Sequence, residues 1–506
     1  MALLILLAVL IPLALLLHSH FRPPIRRNGA PLPKAPNTLP LLGNALHFLR
    51  PRHELLSWFA AIERRSPHQT LQISVPTVGV GVIISAPRNV DFVLRNEGVF
   101  AKGEFVKSRS WDLFGLGIIN VDGEAWRRQR KAGLAFLSNA NLRVLTEVAL
   151  PRYLGESLEE LAGKADGRTA VDMQEVFHEV TTRLMGEMAY GMDMRAGDEF
   201  TLAFEYASGS TAERFQNPLW QLTEPFFARR FRRALRAVRD YGREIVRSAV
   251  ESRDSDVGKG EEKGEAMDRV SGSLIRSLLD SIGDEKLVAD AALNYLSAGR
   301  DTTAQALTWT LHLLTRHPEE VARVRREVSS IIRAADADPK SPATHLFTPT
   351  SAPHTLAVFY EGLRLYPPVP IEIKQATRPM TLPDGTELST GAVVLWSSWA
   401  MGRSHETWGP DADEFRPGRW LSDADPPRFV NRSVGEFPVF NGGPRICLGK
   451  KMAEAVGVQV LAVVLWLFEF EGMKGERRSP SSLTLPMEGG LPCFVKRKSF
   501  EGREGV

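Results

Sequence analysis

The amino-acid sequence predicts a mainly α-helical fold with a smaller β part, preceded by an N-terminal transmembrane helix. Three observations predict it. Most of the chain from Gly123 to Ser330 carries apolar residues at helical spacing, only short segments are rich in β-formers, and Ala2 to Leu17 are all apolar. The 506 residues are 43% hydrophobic and 24% charged, the balance of a folded protein with a sizeable core, and this excludes general disorder. Sixty-three basic against 60 acidic side chains leave a formal charge of +3, too even for a protein that lives on nucleic-acid phosphates. Two cysteines, Cys447 and Cys493, cannot form a disulfide framework. An enzyme is the expectation that remains.

The elements follow in order. At about 1.5 Å per residue, the first apolar run spans roughly 24 Å, near the thickness of a thin endoplasmic reticulum bilayer. A cleaved signal peptide is the competing reading, but no basic residue precedes the run and no small-x-small site follows it. Arg22, Arg26 and Arg27 come next, which keeps the C-terminal side in the cytosol. Six prolines between Pro23 and Pro40 suit a stiff, extended link. The expected organisation is a membrane anchor over 1–20, a proline-rich hinge over 21–45 and a single catalytic domain over 46–506.

Within that domain, Leu55, Leu56, Phe59 and Ile62 have helical spacing, and Thr70 to Ser85 reads as a short hairpin. Arg253 to Arg269 is charged and without periodicity, which predicts a loop; a second loop runs from Asp336 to His354. Pro383-Asp384-Gly385 marks a turn between two strand-like segments within Thr381 to Val394.

The segment Phe440-Asn441-Gly442-Gly443-Pro444-Arg445-Ile446-Cys447-Leu448-Gly449 stands just before a long apolar run, Met452 to Phe470. A cysteine at a helix start has its thiolate stabilised by unpaired N–H groups and the helix dipole. Two glycines and a proline allow the backbone to approach something flat and large, and Arg445 suits a carboxylate on the same ligand. The bland alternative is an inert buried thiol. Phe440, Gly443, Arg445, Cys447 and Gly449 match F-x-x-G-x-R-x-C-x-G, and here the chain resembles the cytochrome P-450 family. The resemblance spans about residues 33 to 495 and implies the fold of that family and a haem cofactor. It implies Cys447 as the axial thiolate on iron, Phe440 as a shield over the sulfur and Arg445 as the holder of a haem propionate.

Other motifs of the family lie in the same order along the chain. Glu361 and Arg364, three apart on a helical segment, resemble the E-x-x-R pair, which the family closes into a buried triad with an arginine from F-x-P-x-R. Phe415-Arg416-Pro417-Gly418-Arg419 carries that arginine as Arg419, with Gly418 where a glutamate is common. Trp126 and Arg130 reproduce W-x-x-x-R, which implies contact with the haem propionates. Leu287 to His317 predicts one long helix ended by Pro318. Its centre, Ala298-Gly299-Arg300-Asp301-Thr302-Thr303, is poor helical sequence: a weak turn held by packing, or a local widening over the haem for O2 and water. It resembles the family's A/G-G-x-D/E-T-T motif. The match implies that Thr302 hydrogen-bonds the peroxide on iron and Asp301 relays protons.

The implied activity is O2-dependent monooxygenation with electrons from NADPH through a cytochrome P-450 reductase, for which Arg127, Arg128, Lys131, Lys450 and Lys451 offer a basic docking face. Arg300, the run Ala304 to Trp309 and Tyr366 to Pro370 resemble the branch that hydroxylates fatty acids and alkanes. So do Asp122 to Trp126, Ala400 to Arg403 and Trp408 to Asp411. The expected substrate loops are apolar: Phe100, Phe105, Trp111, Phe114, Ile118 and Ile119, then Phe215, Leu219, Trp220, Phe226 and Phe227. A hydrophobic substrate, a long aliphatic chain, is expected, the alternative being a specialised intermediate of a secondary-metabolite pathway. Arg229 to Arg247 carries eight arginines beside an apolar face of Phe231, Leu235, Val238 and Ile245, which suits a solvated helix or anionic membrane lipid. A hydroperoxide-rearranging enzyme or a haem sensor without catalysis would not need the Asp301–Thr302 pair. The expected location is the endoplasmic reticulum membrane, with a single-pass anchor and a cytosolic catalytic domain.

Overall fold

A computed structural model of the protein describes residues 24–75, 79–256, 267, 270–473 and 475–499. The expected anchor, the start of the hinge and most of the charged loop after Arg253 lie outside the described residues. Among the described residues no helix is long and apolar enough to cross a membrane. Helix dominates, with three small sheets.

The centre of the molecule is the helix Glu285–Leu314. Asp284 caps it, its carboxylate accepting the N–H groups of Lys286 and Leu287 at 2.9 and 3.0 Å. Every side chain from Thr303 to Leu314 is buried, because the helices Met173–Met185, Arg229–Asp256, Pro353–Leu365 and Lys450–Leu467 pack around it. Thr308 and Thr310 are tolerated there because their hydroxyls bond back to Ala304 and Ala306 carbonyls at 2.8 and 2.7 Å. The helix stops at Leu314, three residues before the expected His317. Pro318 is the first residue of the next helix, Pro318–Ala334, and a residue preceding proline is pushed out of the α region.

The predicted hairpin forms from Leu71–Val75 and Gly79–Ile83, with Ile73 opposite Gly81. A five-stranded sheet continues through Val393–Trp396, parallel to Gly79–Ile83, then Glu372–Ala376 and Phe100–Ala101. The helix Arg52–Arg65 lies on it, packing Leu55, Trp58, Phe59 and Ile62 against Leu71, Ile73, Ile83 and Leu395. The turn at Asp384 joins Met380–Thr381 to Thr386–Leu388 in a second sheet, and its carboxylate accepts the Thr70 hydroxyl at 2.6 Å. Arg26 and Arg27 add a strand there, opposite Glu387 and Thr386. The described part of the expected hinge therefore lies against the globule: Leu32 and Ala35, between the prolines, are buried, and Ala35 N–H donates to the Gln72 carbonyl at 2.9 Å. In the helix Arg229–Asp256, Phe231, Leu235, Val238 and Ile245 face the core, while Arg243 and Arg247 are exposed and pair with Asp240 and Glu244 of their own helix.

Candidate active site

A cavity of about 540 Å³ lies between the helix Glu285–Leu314, the five-stranded sheet and the loop before Lys450–Leu467. Its walls are mostly apolar, and both Cys447 and Thr302 line it.

Cys447 stands three residues before the helix Lys450–Leu467. Its own N–H donates to the Phe440 carbonyl at 2.7 Å, which closes the loop. The thiol is reachable from the cavity although it lies deep in the protein. Burial pushes its pKa up, while the Gly449 N–H and the charges of Arg130 and Lys450 pull it down. The ring of Phe440 lines the cavity beside it. At Gly443, with φ +59°, a Cβ would collide with the Leu94 carbonyl. The close approach at Gly443 is to the helix Pro87–Arg95.

Trp126, Arg130 and Arg445 come together as the motifs imply. The Arg445 guanidinium stands 4.7 Å from the Trp126 ring and Arg130 stands 5.5 Å from it. Arg130 donates to the Ile446 carbonyl at 2.8 Å, and Arg445 binds Asp122 at 2.8 Å and Glu97 at 3.0 Å. Two lysines missing from the sequence reading complete this end: Lys102, 3.7 Å from Glu372, and Lys374 in the strand Glu372–Ala376. Burial pushes the Lys374 ammonium down to about 7, with Lys102 lowering it further and Glu372 raising it. A lone lysine in a strand carries no sequence signal for this place. Lys107 pairs with Asp122 at 2.7 Å, so five cations share the region with the three carboxylates Glu97, Asp122 and Glu372. Two haem propionates would balance that surplus, and the apolar walls would take the macrocycle with Cys447 reachable from within. The residues fit the haem that the resemblance implies.

The segment Ala298 to Thr303 stays helical throughout. Gly299 lies at a crossing: a Cβ there would press on the Met185 sulfur of the helix Met173–Met185, a flexible side-chain end that would have to shift. Thr302 faces the cavity and its hydroxyl donates to the Ala298 carbonyl at 2.7 Å. Asp301 does not line the cavity. It is buried with its neighbour Arg300, whose Nε donates to its carboxylate at 2.6 Å and whose Nη1 reaches Thr201 at 3.1 Å.

His178 is buried near this pair, and burial lowers its pKa to about 4 although Asp301 raises it. The unfolded chain, with a pKa near 6.5, therefore takes a proton before the folded one does. Stability should be full above pH ~6.5 and fall by up to about 3 kcal/mol towards pH 4. Denaturant midpoints measured across that range should show the slope, and His178→Leu should reduce it, leaving the part that His312, lowered to about 3 by burial, adds over the same range.

The triad is assembled and fully enclosed. Glu361 accepts Arg364 at 2.7 and 2.8 Å, Arg419 at 2.9 Å, the Trp420 indole N–H at 2.9 Å and the Arg416 backbone N–H at 2.8 Å. Arg364 spends its remaining donors on the carbonyls of Gly402, Ala412 and Glu414. Nothing lies within 4 Å of a Cβ built at Gly418, so the missing glutamate leaves the triad intact.

Of the expected substrate loops, Phe105, Phe114, Ile118, Ile119 and Phe215 line the cavity. Phe100 is buried in the sheet's own core, and Trp111, Leu219 and Phe226 face outward. Phe48, Ile73, Val75 and Leu395 of the sheet side line it too and carried no sequence signal, because they come from elements that fold together only in three dimensions.

A family model described as Cytochrome P-450 matches residues 33–493. Similar curated proteins include Cytochrome P-450 94B3 of Arabidopsis thaliana, 32% identical over 98% of this chain and 97% of that protein. Cytochrome P-450 94B1 of the same plant is 31% identical over 92% of both chains. Cytochrome P-450 94A1 of Vicia sativa is 29% identical over 92% of this chain and 90% of its own.

Proposed function

The chain belongs to the cytochrome P-450 family of haem-thiolate monooxygenases, and from that premise we propose that it is a membrane-anchored hydroxylase of long aliphatic chains. The family binds haem through a cysteine thiolate, uses O2 with a reductase partner and takes hydrophobic substrates. The observation that carries the proposal is that a single apolar cavity is lined at once by Cys447 and Thr302.

Cys447 is proposed as the iron ligand; Trp126, Arg130 and Arg445, with Lys102 and Lys374, as the holders of the propionates; and Phe440 as the ring beside the sulfur. Haem held by a thiolate supplies O2 activation, the sulfur pushing electron density towards iron. The protein's part is proton handling and exclusion of water. Thr302 Oγ1 gives its own hydrogen to Ala298, so its lone pairs accept from a donor inside the cavity. Asp301 is the proposed proton source. Its carboxylate must exchange the Arg300 partner for water leading to Thr302, which makes Arg300 a brake on that transfer. Thr302→Ala should raise peroxide released per NADPH several-fold while leaving substrate binding near wild type; unchanged coupling would refute the proton role.

An aliphatic substrate is favoured by the walls of the cavity and by the resemblance to the fatty-acid and alkane hydroxylating branch. The proposed location is the endoplasmic reticulum membrane, with residues 1–20 as anchor and 46–506 as one catalytic domain. Arg127, Arg128, Lys131 and Lys451 are exposed, as a docking face for an acidic reductase requires. The test is a spectral titration of the haem-loaded protein: a substrate that displaces water from ferric iron shifts its spin state. Straight-chain fatty acids and alkanes should give a saturable shift and bulky polycyclic compounds none; the reverse would overturn the aliphatic reading.

A further inference from the structure

Asp301 does not line the cavity; with Arg300 it is buried against the helices Met173–Met185 and Glu199–Gln216, where Arg300 Nη1 reaches Thr201 at 3.1 Å. A substrate that fills the apolar cavity shuts bulk water out of it. A carboxyl group that gives its proton towards Thr302 must then be recharged from its other side.

Polar atoms on that side are left without protein partners. Arg300 gives Nε to Asp301 and Nη1 to Thr201, but its buried Nη2 has no acceptor. His178 Nδ1 and Thr182 Oγ1 are likewise buried and unpartnered. His178, Thr182 and Met185 stand at i, i+4 and i+7 of the helix Met173–Met185 and so share one face. That face lies against the helix Glu285–Leu314, since Met185 meets Gly299 there. A buried polar atom left alone costs about 1–3 kcal/mol, and a water that bridges a donor to acceptors removes that cost. The imidazole is neutral, because burial holds its pKa at about 4, so it offers such a water an acceptor.

The cluster reaches the surface within one helical turn. Glu205 lies four residues after Thr201 on the helix Glu199–Gln216, and Glu175 three residues before His178 on its own helix. Both carboxylates are exposed. Among the described residues, His178 and Glu205 are the two groups whose pKa is shifted by both Arg300 and Asp301. The protein around the Glu205 carboxyl pushes its pKa up, Arg300 pulls it down, and Asp301 and Glu175 push it up again. Glu205 therefore takes a proton from solvent more readily than a free carboxylate does.

We propose that protons enter the enzyme between the helices Met173–Met185 and Glu199–Gln216, taken up from solvent at Glu205 and passed to Asp301 by water held between His178 and Arg300. This rests on Asp301 as the proton source and adds the path that recharges it. Glu205 gives its proton to the water, the water gives one of its own to the Asp301 carboxylate, and Glu205 takes the next from solvent. His178 is a positioning residue: it holds the water and stays neutral. The first test is a crystal structure of wild type that shows ordered water. A water within hydrogen-bond reach of both His178 Nδ1 and Arg300 Nη2 is expected, and a site without one overturns the path. The second follows NADPH oxidation with lauric acid in H2O and in D2O, for haem-loaded wild type, His178→Leu, His178→Gln and Glu205→Gln. The reduced carbon monoxide spectrum checks that each variant is intact. His178→Leu should slow oxidation by on the order of a hundredfold, the low end for a lost proton-transfer group, and raise the ratio of the rates in H2O and D2O. His178→Gln keeps an acceptor for the water and should recover most of the rate. Glu205→Gln should shift rate and ratio in the same direction by less, because Glu175 stands nearby. Wild-type rates and ratios in His178→Leu and Glu205→Gln overturn the path, while raised peroxide release by Thr302→Ala keeps the Asp301–Thr302 reading. A slower His178→Leu with an unchanged ratio means a structural role only and also overturns it. Should His178→Leu fail to hold haem, the surface variant Glu205→Gln and the crystal structure still decide. Unchanged coupling in Thr302→Ala sinks both readings.

Discussion

Cys447→Ala is expected to abolish the thiolate-haem spectrum and to reduce NADPH-dependent hydroxylation to background, while the protein keeps its helical fold. The two halves of that expectation have separate causes. The thiolate is the proposed source of electron density at iron, and alanine supplies no ligand. The fold survives because the loop is closed by the backbone: Cys447 N–H to the Phe440 carbonyl, Ile446 N–H to Gly443 and Arg130 to the Ile446 carbonyl. The side chain itself opens into the cavity, so its removal leaves no new void in the packed core. The second thiol is an internal control. Cys493 is buried in the strand Pro492–Arg497, and burial pushes its pKa up to about 12, so it stays a neutral apolar group. Cys493→Ala should leave the reduced carbon monoxide spectrum unchanged. Absorbance spectra and far-ultraviolet circular dichroism on the two variants decide the matter. A normal thiolate spectrum from Cys447→Ala, or its loss in Cys493→Ala, would refute the assignment.

Why some of this was legible in the sequence follows from how each residue is held. The loop around Cys447 was legible because its chemistry demands a residue type at each of several nearby positions. Glu361 and Arg364 were legible for the same reason, lying one turn apart, and even Arg419 followed from its own short motif. The helix Glu285–Leu314 was legible from its length and its terminal proline, although the residue before that proline set its end. Less local features were hidden. Leu71–Val75 and Val393–Trp396 belong to one sheet yet lie more than three hundred residues apart, so neither predicts the other. Lys374 matters only for what surrounds it, and a single lysine in sequence looks like any other. Asp301 shows the limit of a motif: the match identified it, but the Arg300 partner that occupies its carboxylate is a fact of side-chain direction. The glycines before Cys447 were read as making room for a flat ligand, whereas Gly443 makes room for Leu94.

Glu361→Ala should be strongly destabilising. The carboxylate is completely buried and answers two guanidinium groups and two further N–H donors. Its removal leaves Arg364, itself completely buried, with two donors facing nothing and a charge without its counter-ion. Breaking such a buried pair costs about 3–5 kcal/mol, a large share of the roughly 5–15 kcal/mol that keeps a protein folded. The effect should spread because the same carboxylate holds Arg416 and Arg419, and with them the segment that carries Trp420 against Tyr360 at 5.2 Å. Tyr360 in turn stacks on Phe437, three residues before Phe440, so the loss reaches the cysteine loop. Glu361→Gln keeps the shape and one acceptor but not the charge, and should fall short of the alanine variant. A surface pair gives the scale: Glu124, more than half exposed, bonds Arg127 at 3.2 Å, and Glu124→Gln should cost under about 1 kcal/mol. Guanidinium midpoints and the yield of haem-loaded protein should therefore rank Glu124→Gln nearest wild type, then Glu361→Gln, then Glu361→Ala. Equal midpoints for Glu361→Ala and Glu124→Gln would mean that the enclosed triad of Glu361, Arg364 and Arg419 contributes no more than a surface ion pair, and would overturn the expectation.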